Sequence, residues 1–292
     1  MKKIFIAGCG YIGRRVARLA SDAGYGTTCL VRSAEQGTAL EKDGFGTVVG
    51  SLDDAAGMPS LEGAAGGAVL YCVPPPGGGL FDTRARNFCA ALALSAPPAK
   101  IVYLSATSVY SETRGGTVTE DSPTAPASSM GKRRLDAEAA FREFGAAHGA
   151  GVVILRISGI YGPGRLPLMQ ISQGQPLLKE EESGPSNRIH ADDLAQICLA
   201  AVEKGKDGDI FNVSDGHPAS MTSYFNAAAD VLGMPRQPQV PLEEARQTMS
   251  PLMFSYVSES RVVDNSRMLE RLGVRLRYPS MVQGLSASVE VA

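Results

Sequence analysis

The alternation of short apolar segments with amphipathic ones is the feature that most limits how this chain can fold. The apolar segments include KIFIAG, TTCLV, AVLYCV, KIVYLS and GVVILRI, and most are separated by enough residues for one helix. They are apolar on both faces, as strands are when helices cover both sides of a parallel sheet. The pattern predicts an α/β fold with a doubly wound parallel sheet of about seven strands.

A glycine motif of the form GxGxxG lies directly after the first predicted strand and directly before a helix. The chain must turn tightly at Gly8, and a side chain at Gly10 would block the approach of a pyrophosphate. A side chain at Gly13 would push the helix away from the strand. Free N–H groups at the helix start suit phosphate oxygens. The motif therefore predicts a dinucleotide site formed by Gly8, Cys9, Gly10, Tyr11, Ile12 and Gly13; the alternative is a glycine turn that only packs.

The end of the second predicted strand indicates which dinucleotide is bound. An NAD enzyme places an Asp or Glu there to hold the ribose 2′-hydroxyl group, whereas LVRSAE has Arg32 at that position. A guanidinium group suits a 2′-phosphate, and its flat face can stack on adenine. We therefore expect NADP as the cofactor, with NAD as the alternative.

The composition excludes several classes of function. Charged residues make up 20% of the chain and the net charge is −2, which argues against nucleic acid or membrane partners. The N-terminal apolar segment is too short for a signal peptide or a membrane span. Five scattered cysteines predict reduced thiols in a cytoplasmic protein, and the spacing of three histidines predicts no metal site.

A change in composition after about residue 158 predicts a second, smaller lobe. Glycine, proline and charged residues become frequent there, before the helical pattern HADDLAQICLAAVEKG and the strand-like DIFNVS. We expect a dinucleotide-binding domain over residues 1–158, completed by about 188–214. A substrate-binding lobe is expected over residues 159–187 and 215–292.

Several dispersed motifs resemble those of the extended short-chain dehydrogenase/reductases, the NAD(P)-dependent epimerase/dehydratase family. They are YLSATSVYS (103–111), LRISGIYGPGR (155–165), SNRIHADDLA (186–195) and DIFNVSDG (209–216). The resemblance implies a Rossmann fold and a small-molecule substrate such as a nucleotide sugar. It also implies a homodimer that pairs through helices containing residues 82–95 and 129–147.

The chain departs from the family at the active-site motif YxxxK, because the matching letters are MGKRR. Met130 stands at the position of the tyrosine and Arg134 at that of the lysine, and both share one face of a helix expected to begin at Ser128 or Ser129. Arg134 keeps the cation that binds the cofactor, but neither side chain can act as the usual acid. Lys132 and Arg133 are expected to face solvent or to pair with Asp136.

Other residues are assigned possible roles by the same resemblance. The hydroxyl that holds the substrate falls on Ala106, so Ser105, Thr107 and Tyr110 are the candidate catalytic residues. A tyrosine packed in the core is the alternative for Tyr110. Further candidates lie beside the cofactor or the substrate: Asp53, Val73 and Pro74 for the cofactor, Tyr161 and Arg188 for the substrate.

Alternatives also remain open for these last candidates. Tyr161 is either a substrate contact or an aromatic residue that anchors its loop, and Arg188 either binds a substrate phosphate or pairs with Glu180–Glu182. PPPGGG (74–79) is either a mobile flap or a plain loop.

The predicted cofactor site and the replaced YxxxK motif leave two functions open. The protein is either an NADP-linked oxidoreductase or epimerase with a non-standard proton donor, or a non-catalytic NADP(H) sensor.

Overall fold

The computed structural model describes residues 2–54, 57–249, 254 and 259–289. Its strands are β1 (Lys3–Ala7), β2 (Gly26–Val31), β3 (Gly46–Val49), β4 (Ala68–Tyr71), β5 (Lys100–Ala106), β6 (Arg114–Val118), β7 (Gly151–Ile157), β8 (Gly159–Tyr161), β9 (Leu177–Leu178), β10 (Pro185–Ser186), β11 (Arg188–His190), β12 (Ile210–Val213), β13 (Ala219–Ser220), β14 (Gln239–Val240) and β15 (Ser260–Val263).

Helices alternate with the longer strands, as the sequence pattern predicts. They are α1 (Tyr11–Asp22), α2 (Ala34–Lys42), α3 (Thr83–Leu92), α4 (Ser129–His148), α5 (Leu168–Ser172), α6 (Ala191–Lys204), α7 (Met221–Val231), α8 (Leu242–Thr248), α9 (Ser266–Leu272) and α10 (Met281–Val289). Short 3₁₀ helices lie at Glu62–Ala64, Thr107–Val109 and Glu180–Glu182.

Within the described residues, seven parallel strands form one central sheet in the order β12-β7-β5-β4-β1-β2-β3. The predicted α/β class and doubly wound sheet are therefore confirmed. The chain builds outward from β1 to β3, then crosses over to β4 and builds outward in the other direction. In such sheets the crossover leaves a crevice at the carboxyl ends of the strands, where ligands bind.

Apolar residues cover both faces of this sheet. On one face, α1 and α6 pack through buried side chains that include Val16, Ala20 and Leu194. On the other face, α3 and α4 pack through aromatic residues that include Phe88 and Phe141. Strands buried on both sides explain why their sequences are continuously apolar instead of alternating.

Helix α4 begins at Ser129, as expected, because the Ser128 hydroxyl accepts a hydrogen bond from the Gly131 N–H at 3.2 Å.

The expectation that Arg133 faces solvent or pairs with Asp136 was wrong. Arg133 is buried and donates to the Gly79 carbonyl at 2.7 Å, because the loop after β4 folds over this side of the helix. Asp136 accepts hydrogen bonds from Arg86 and from the Asp82 N–H instead. Lys132 alone faces solvent.

The smaller lobe has its own apolar cluster, which includes Tyr161, Ile171, Tyr224 and Leu285. Part of the segment 215–292 lies elsewhere, however. Strand β15 pairs with β6, and the α9 residues Met268 and Leu272 pack beside α6 on the main sheet. The segment from β15 to α9 therefore belongs with the larger unit. Of the helices that the structure describes, none is long and apolar enough to cross a membrane.

Candidate cofactor-binding site

A cavity of about 1070 Å³ lies at the carboxyl edge of the sheet, at the crossover between β1 and β4. The glycine turn forms one wall, and the ends of β2, β4, β5 and β7 contribute the others. The structure brings together in this lining every residue that the sequence predicted for the cofactor: Gly8, Cys9, Gly10, Tyr11, Ile12, Gly13, Arg32, Asp53, Val73, Pro74 and Arg134. Their contact with a dinucleotide stays a prediction.

The three glycines of the motif meet the steric demands that the sequence suggests. Gly8 has φ +90°, and a Cβ atom there would lie 2.9 Å from Val73 Cγ2. A Cβ atom at Gly13 would lie 2.3 Å from the Gly8 carbonyl oxygen, so glycine is needed for α1 to approach β1. A Cβ atom at Gly10 would meet no atom within 4 Å among the described residues. Packing therefore explains why glycine is needed at positions 8 and 13. Gly10, in contrast, leaves open the space above the start of the helix.

The cavity is strongly cationic. Its lining contains a single carboxylate, Asp53, among the described residues. Seven arginines line it: Arg14, Arg15, Arg18, Arg32, Arg84, Arg134 and Arg165. Arg15, Arg18 and Arg84 form ion pairs with Asp192, Asp43 and Asp53. The remaining four have no carboxylate within 4.0 Å in the part of the chain that the structure describes. This excess of cations beside a helix N-terminus favours a ligand with several phosphate charges.

Arg84 is a site residue that the sequence reasoning missed. Its Nε and NH2 groups donate to the two carboxylate oxygens of Asp53 at 2.7 and 2.9 Å, and its NH1 group donates to the Pro74 carbonyl at 3.1 Å. These hydrogen bonds lower the pKa of Asp53. Arg84 thereby joins the loops after β3 and β4 over one end of the cavity. No local pattern in FDTRARNF indicates this contact.

Met130 and Arg134 lie where the family's tyrosine and lysine would be expected, and both line the cavity. Met130 is 43% exposed. The NH1 group of Arg134 donates to the Leu104 carbonyl at 2.8 Å, and its Nε atom is buried without a partner among the described residues. Arg134 thus keeps a donor for a ligand, while Met130 offers no proton.

The structure contradicts a catalytic role for Tyr110. This residue is 1% exposed, its hydroxyl donates to Asn212 Oδ1 at 2.6 Å, and Arg156 lies 4.9 Å from its ring centroid. It is absent from the described lining of the cavity, so the packed alternative describes it better. Thr107, the first residue of the 3₁₀ helix after β5, is likewise absent from that lining.

Ser105 is the one predicted catalytic residue that reaches the cavity. Its hydroxyl donates to Glu138 Oε1 at 2.7 Å. Glu138 is fully buried and accepts from Arg156 at 2.9 and 3.1 Å. The Ser105 proton is therefore directed into the core, and its oxygen can accept a hydrogen bond from a ligand.

Tyr161 and Arg188 come together in the smaller lobe, outside the described lining of the cavity. Tyr161 is fully buried and packs edge-on against His190 and Tyr224, which fits the loop-anchoring alternative. Arg188 donates to the Asn187 carbonyl at 3.1 Å and not to Glu180–Glu182, and burial lowers its pKa. Both residues thus lie away from the described lining of the cavity, and their contact with a substrate stays a prediction.

Comparison with known proteins agrees with this fold. Residues 84–214 match the NAD dependent epimerase/dehydratase family. Protein YeeZ of Escherichia coli K12 is 25% identical, over 96% of this chain and 97% of that protein.

Solved structures cover nearly the whole chain. A functionally unknown conserved protein from Silicibacter pomeroyi is 28% identical with a TM-score of 0.82, over 100% of this chain and 99% of that one. Human epimerase family protein SDR39U1 (isoform 2), solved with NADPH, is 18% identical with a TM-score of 0.76, over 99% of both chains. The family match over residues 84–214, the shared fold and the replaced YxxxK motif are consistent with an atypical extended short-chain dehydrogenase/reductase.

Proposed function

We propose that this protein binds NADP(H) and acts as an oxidoreductase on a small substrate, without the tyrosine that its relatives use as an acid. The observation that carries the proposal is the cationic cavity above Gly10, where four arginines are free of carboxylate partners among the described residues. A nicotinamide cofactor supplies a hydride ion when bound. The residues of the chain would hold and orient that cofactor.

Arg32 supports NADP over NAD as the cofactor. It lies at the end of β2, is exposed, and lines the cavity. A guanidinium group can donate two parallel hydrogen bonds to a phosphate, whereas a ribose hydroxyl group gains less from the charge. SDR39U1, a protein of the same fold, was solved with NADPH.

The nicotinamide end of the cavity determines what chemistry is available. Val73, Leu104 and Ile157 contribute apolar side chains to the lining at this end. Because Tyr110 and Thr107 lie elsewhere and Ser105 directs its proton to Glu138, we infer that solvent or the substrate itself supplies the proton. A nucleotide sugar stays the expected substrate class on the family resemblance alone.

A non-catalytic NADP(H) sensor is the second candidate, and one specific observation favours it. Met130 lies at the wall of the cavity where relatives need a proton donor, and its thioether cannot provide one. A sensor would bind NADP⁺ and NADPH with different affinity or shape and would show no turnover.

Titration of the purified protein with NADPH and NADH, followed by nicotinamide fluorescence, tests the cofactor. We expect NADPH to bind at least about tenfold more tightly, and Arg32→Ala to weaken NADPH binding by about 10- to 100-fold, because charged hydrogen bonds contribute roughly 1.5–3 kcal/mol. NADH binding should change little. Arg114→Ala, an exposed arginine on β6, is the matched control.

Equal affinity of the wild-type protein for NADPH and NADH would contradict the cofactor assignment. A screen of nucleotide sugars and simple carbonyl compounds for NADPH consumption then separates the two functions. Turnover by the wild-type protein supports the oxidoreductase, and binding without turnover of any compound supports the sensor.

A further inference from the structure

One of the arginines that line the cavity comes from the smaller lobe. Arg165 lies in the loop between β8 and α5, and the next residue, Leu166, packs against the apolar cluster of that lobe. Arg165 is one of the four cavity arginines without a carboxylate partner among the described residues. The loop therefore brings an uncompensated positive charge from the smaller lobe to a cavity whose other walls belong to the central sheet.

Contacts with Tyr11 fix this loop against the start of α1. The Tyr11 hydroxyl donates to the Pro163 carbonyl at 3.0 Å. A Cβ atom at Gly162 would lie 2.7 Å from the Tyr11 hydroxyl oxygen, so glycine permits the close approach. The Arg165 N–H closes a turn on the Gly162 carbonyl at 2.9 Å, and the guanidinium carbon of Arg165 lies 5.3 Å from the centroid of the Tyr11 ring. Arg165 is thus held beside the first turn of α1.

A second arginine lies on the same ring, but protein groups already bind it. The guanidinium carbon of Arg15 is 4.0 Å from the centroid of the Tyr11 ring. Its Nε group donates to Asp192 Oδ1 at 2.9 Å, and its NH1 group donates to the Tyr11 carbonyl at 2.9 Å. Of the two cations on Tyr11, only Arg165 therefore has its charge available to a ligand, within the part of the chain that the structure describes.

The position of Tyr11 indicates which anion Arg165 binds. Tyr11 is the first residue of α1 and directly follows Gly10, where a Cβ atom would meet no described atom within 4 Å. The N–H groups of this first turn have no partner within the helix, so they suit phosphate oxygens. A pyrophosphate carries two negative charges, and the helix dipole compensates only about half of one charge. Arg165 supplies a full positive charge beside the same turn.

We infer that Arg165 binds the pyrophosphate of the dinucleotide, an assignment that rests on the proposed function. A guanidinium group can donate two parallel hydrogen bonds to phosphate oxygens. The glycine motif binds the pyrophosphate from the central sheet, and Arg165 binds it from the smaller lobe. The bound dinucleotide thus joins the smaller lobe to the sheet through its own charge, while Arg32 binds the 2′-phosphate at the end of β2.

Three nucleotides with different phosphates test this assignment by calorimetric titration. NADP⁺ has both the pyrophosphate and the 2′-phosphate, ADP-ribose has only the pyrophosphate, and adenosine 2′-monophosphate has only the 2′-phosphate. We expect Arg165→Ala to weaken the binding of NADP⁺ and ADP-ribose by at least about tenfold and to leave adenosine 2′-monophosphate unchanged. Arg32→Ala should instead weaken NADP⁺ and adenosine 2′-monophosphate and leave ADP-ribose unchanged.

Arg275→Ala is the control, because Arg275 is an exposed arginine after α9 that is absent from the described lining of the cavity. It should change none of the three affinities. ADP-ribose binding that Arg165→Ala leaves intact would overturn the inference alone and would assign Arg165 to an anionic group of the substrate. An equal loss for all three nucleotides would also overturn it. Wild-type protein that binds none of them would refute the proposed function and this inference with it.

Discussion

At the scale of single residues, hydrogen-bond partners distinguish the side chains that stabilise the fold from those that face the cavity. Tyr110 and Glu138 are fully engaged inside the protein. Arg32 and Met130 face the cavity, and no carboxylate among the described residues pairs with Arg32. A titratable residue in a family-like motif therefore need not lie in the ligand cavity. Its hydrogen-bond partners show whether it lies there or in the core.

Substitution Tyr110→Phe should affect stability and not cofactor binding. Removal of the hydroxyl group leaves Asn212 Oδ1 without that donor in a fully buried position, which costs about 1–3 kcal/mol. Urea unfolding would measure the loss, and NADPH titration should be unchanged. Unchanged stability with lost turnover would instead return Tyr110 to the list of proton donors.

Asp215 makes stability depend on pH. Burial raises its pKa to about 6, above the value of about 3.9 in an unfolded chain. The folded state therefore binds the proton more tightly, and the associated stability is lost as pH rises from about 4 to about 6. Asp215→Asn cannot ionise and should be more stable than wild type by roughly 1–3 kcal/mol at pH 7.

The Asp215→Asn difference should shrink towards zero at pH 4, where both side chains are neutral. Urea unfolding at pH 4, 5, 6 and 7 measures it. The Asp215 Oδ1 atom accepts from the His217 N–H at 2.9 Å, and the asparagine oxygen can keep this hydrogen bond. A difference that does not vary with pH would show that the substitution acts through packing.

At the scale of elements, the glycine motif between β1 and α1 combines tight packing with an accessible helix N-terminus. Gly13 lets α1 approach the strand, and Gly10 keeps the helix N-terminus accessible. The N–H groups of the first helical turn have no partner within an α-helix, so they are available to a phosphate. Within this one motif, Gly13 therefore affects packing, whereas Gly10 affects access to the helix N-terminus.

The pair Gly10→Ala and Gly13→Ala should show this separation. Gly13→Ala places a methyl group 2.3 Å from the Gly8 carbonyl oxygen, so we expect a loss of about 1–3 kcal/mol in the free energy of unfolding. Gly10→Ala meets no protein atom within 4 Å among the described residues, so stability should be kept while NADPH binding falls at least about tenfold. Equal destabilisation by both substitutions would show that Gly10 only packs.

At the scale of the whole molecule, the central sheet gathers residues distant in sequence at one edge. Gly10, Arg32, Val73, Ser105 and Ser158 follow or end five different strands and line one cavity. A ligand that contacts all five would stabilise the entire sheet. Homodimer formation through residues 82–95 and 129–147 stays a prediction at this scale.

NADPH should therefore raise the melting temperature of the whole protein. A ligand that binds only the folded state at 100 times its Kd stabilises it by about 2.7 kcal/mol. Thermal unfolding monitored by circular dichroism should shift upward by several degrees, and by less in Arg32→Ala at the same concentration. No shift at saturating NADPH would contradict cofactor binding in this cavity.

The sequence by itself determined the features that depend on neighbouring residues. The sheet strands were predictable from continuous apolar segments, the glycine turn from its spacing, and the start of α4 from Ser128, because each needs only a few adjacent positions. Met130 and Arg134, which the family resemblance singled out, both line the cavity.

Only the tertiary structure decided which side chains face the cavity and which form their hydrogen bonds within the core. Arg84 reaches Asp53 across 31 positions, Tyr110 reaches Asn212 across 102, and Ser158 stands free because no such partner lies near it in the described chain. A hydrogen bond is made or lost over less than an ångström, and the packing of several elements sets that distance. The local sequence does not specify interatomic distances to that precision. Only the folded structure therefore shows which hydrogen bonds the site residues make.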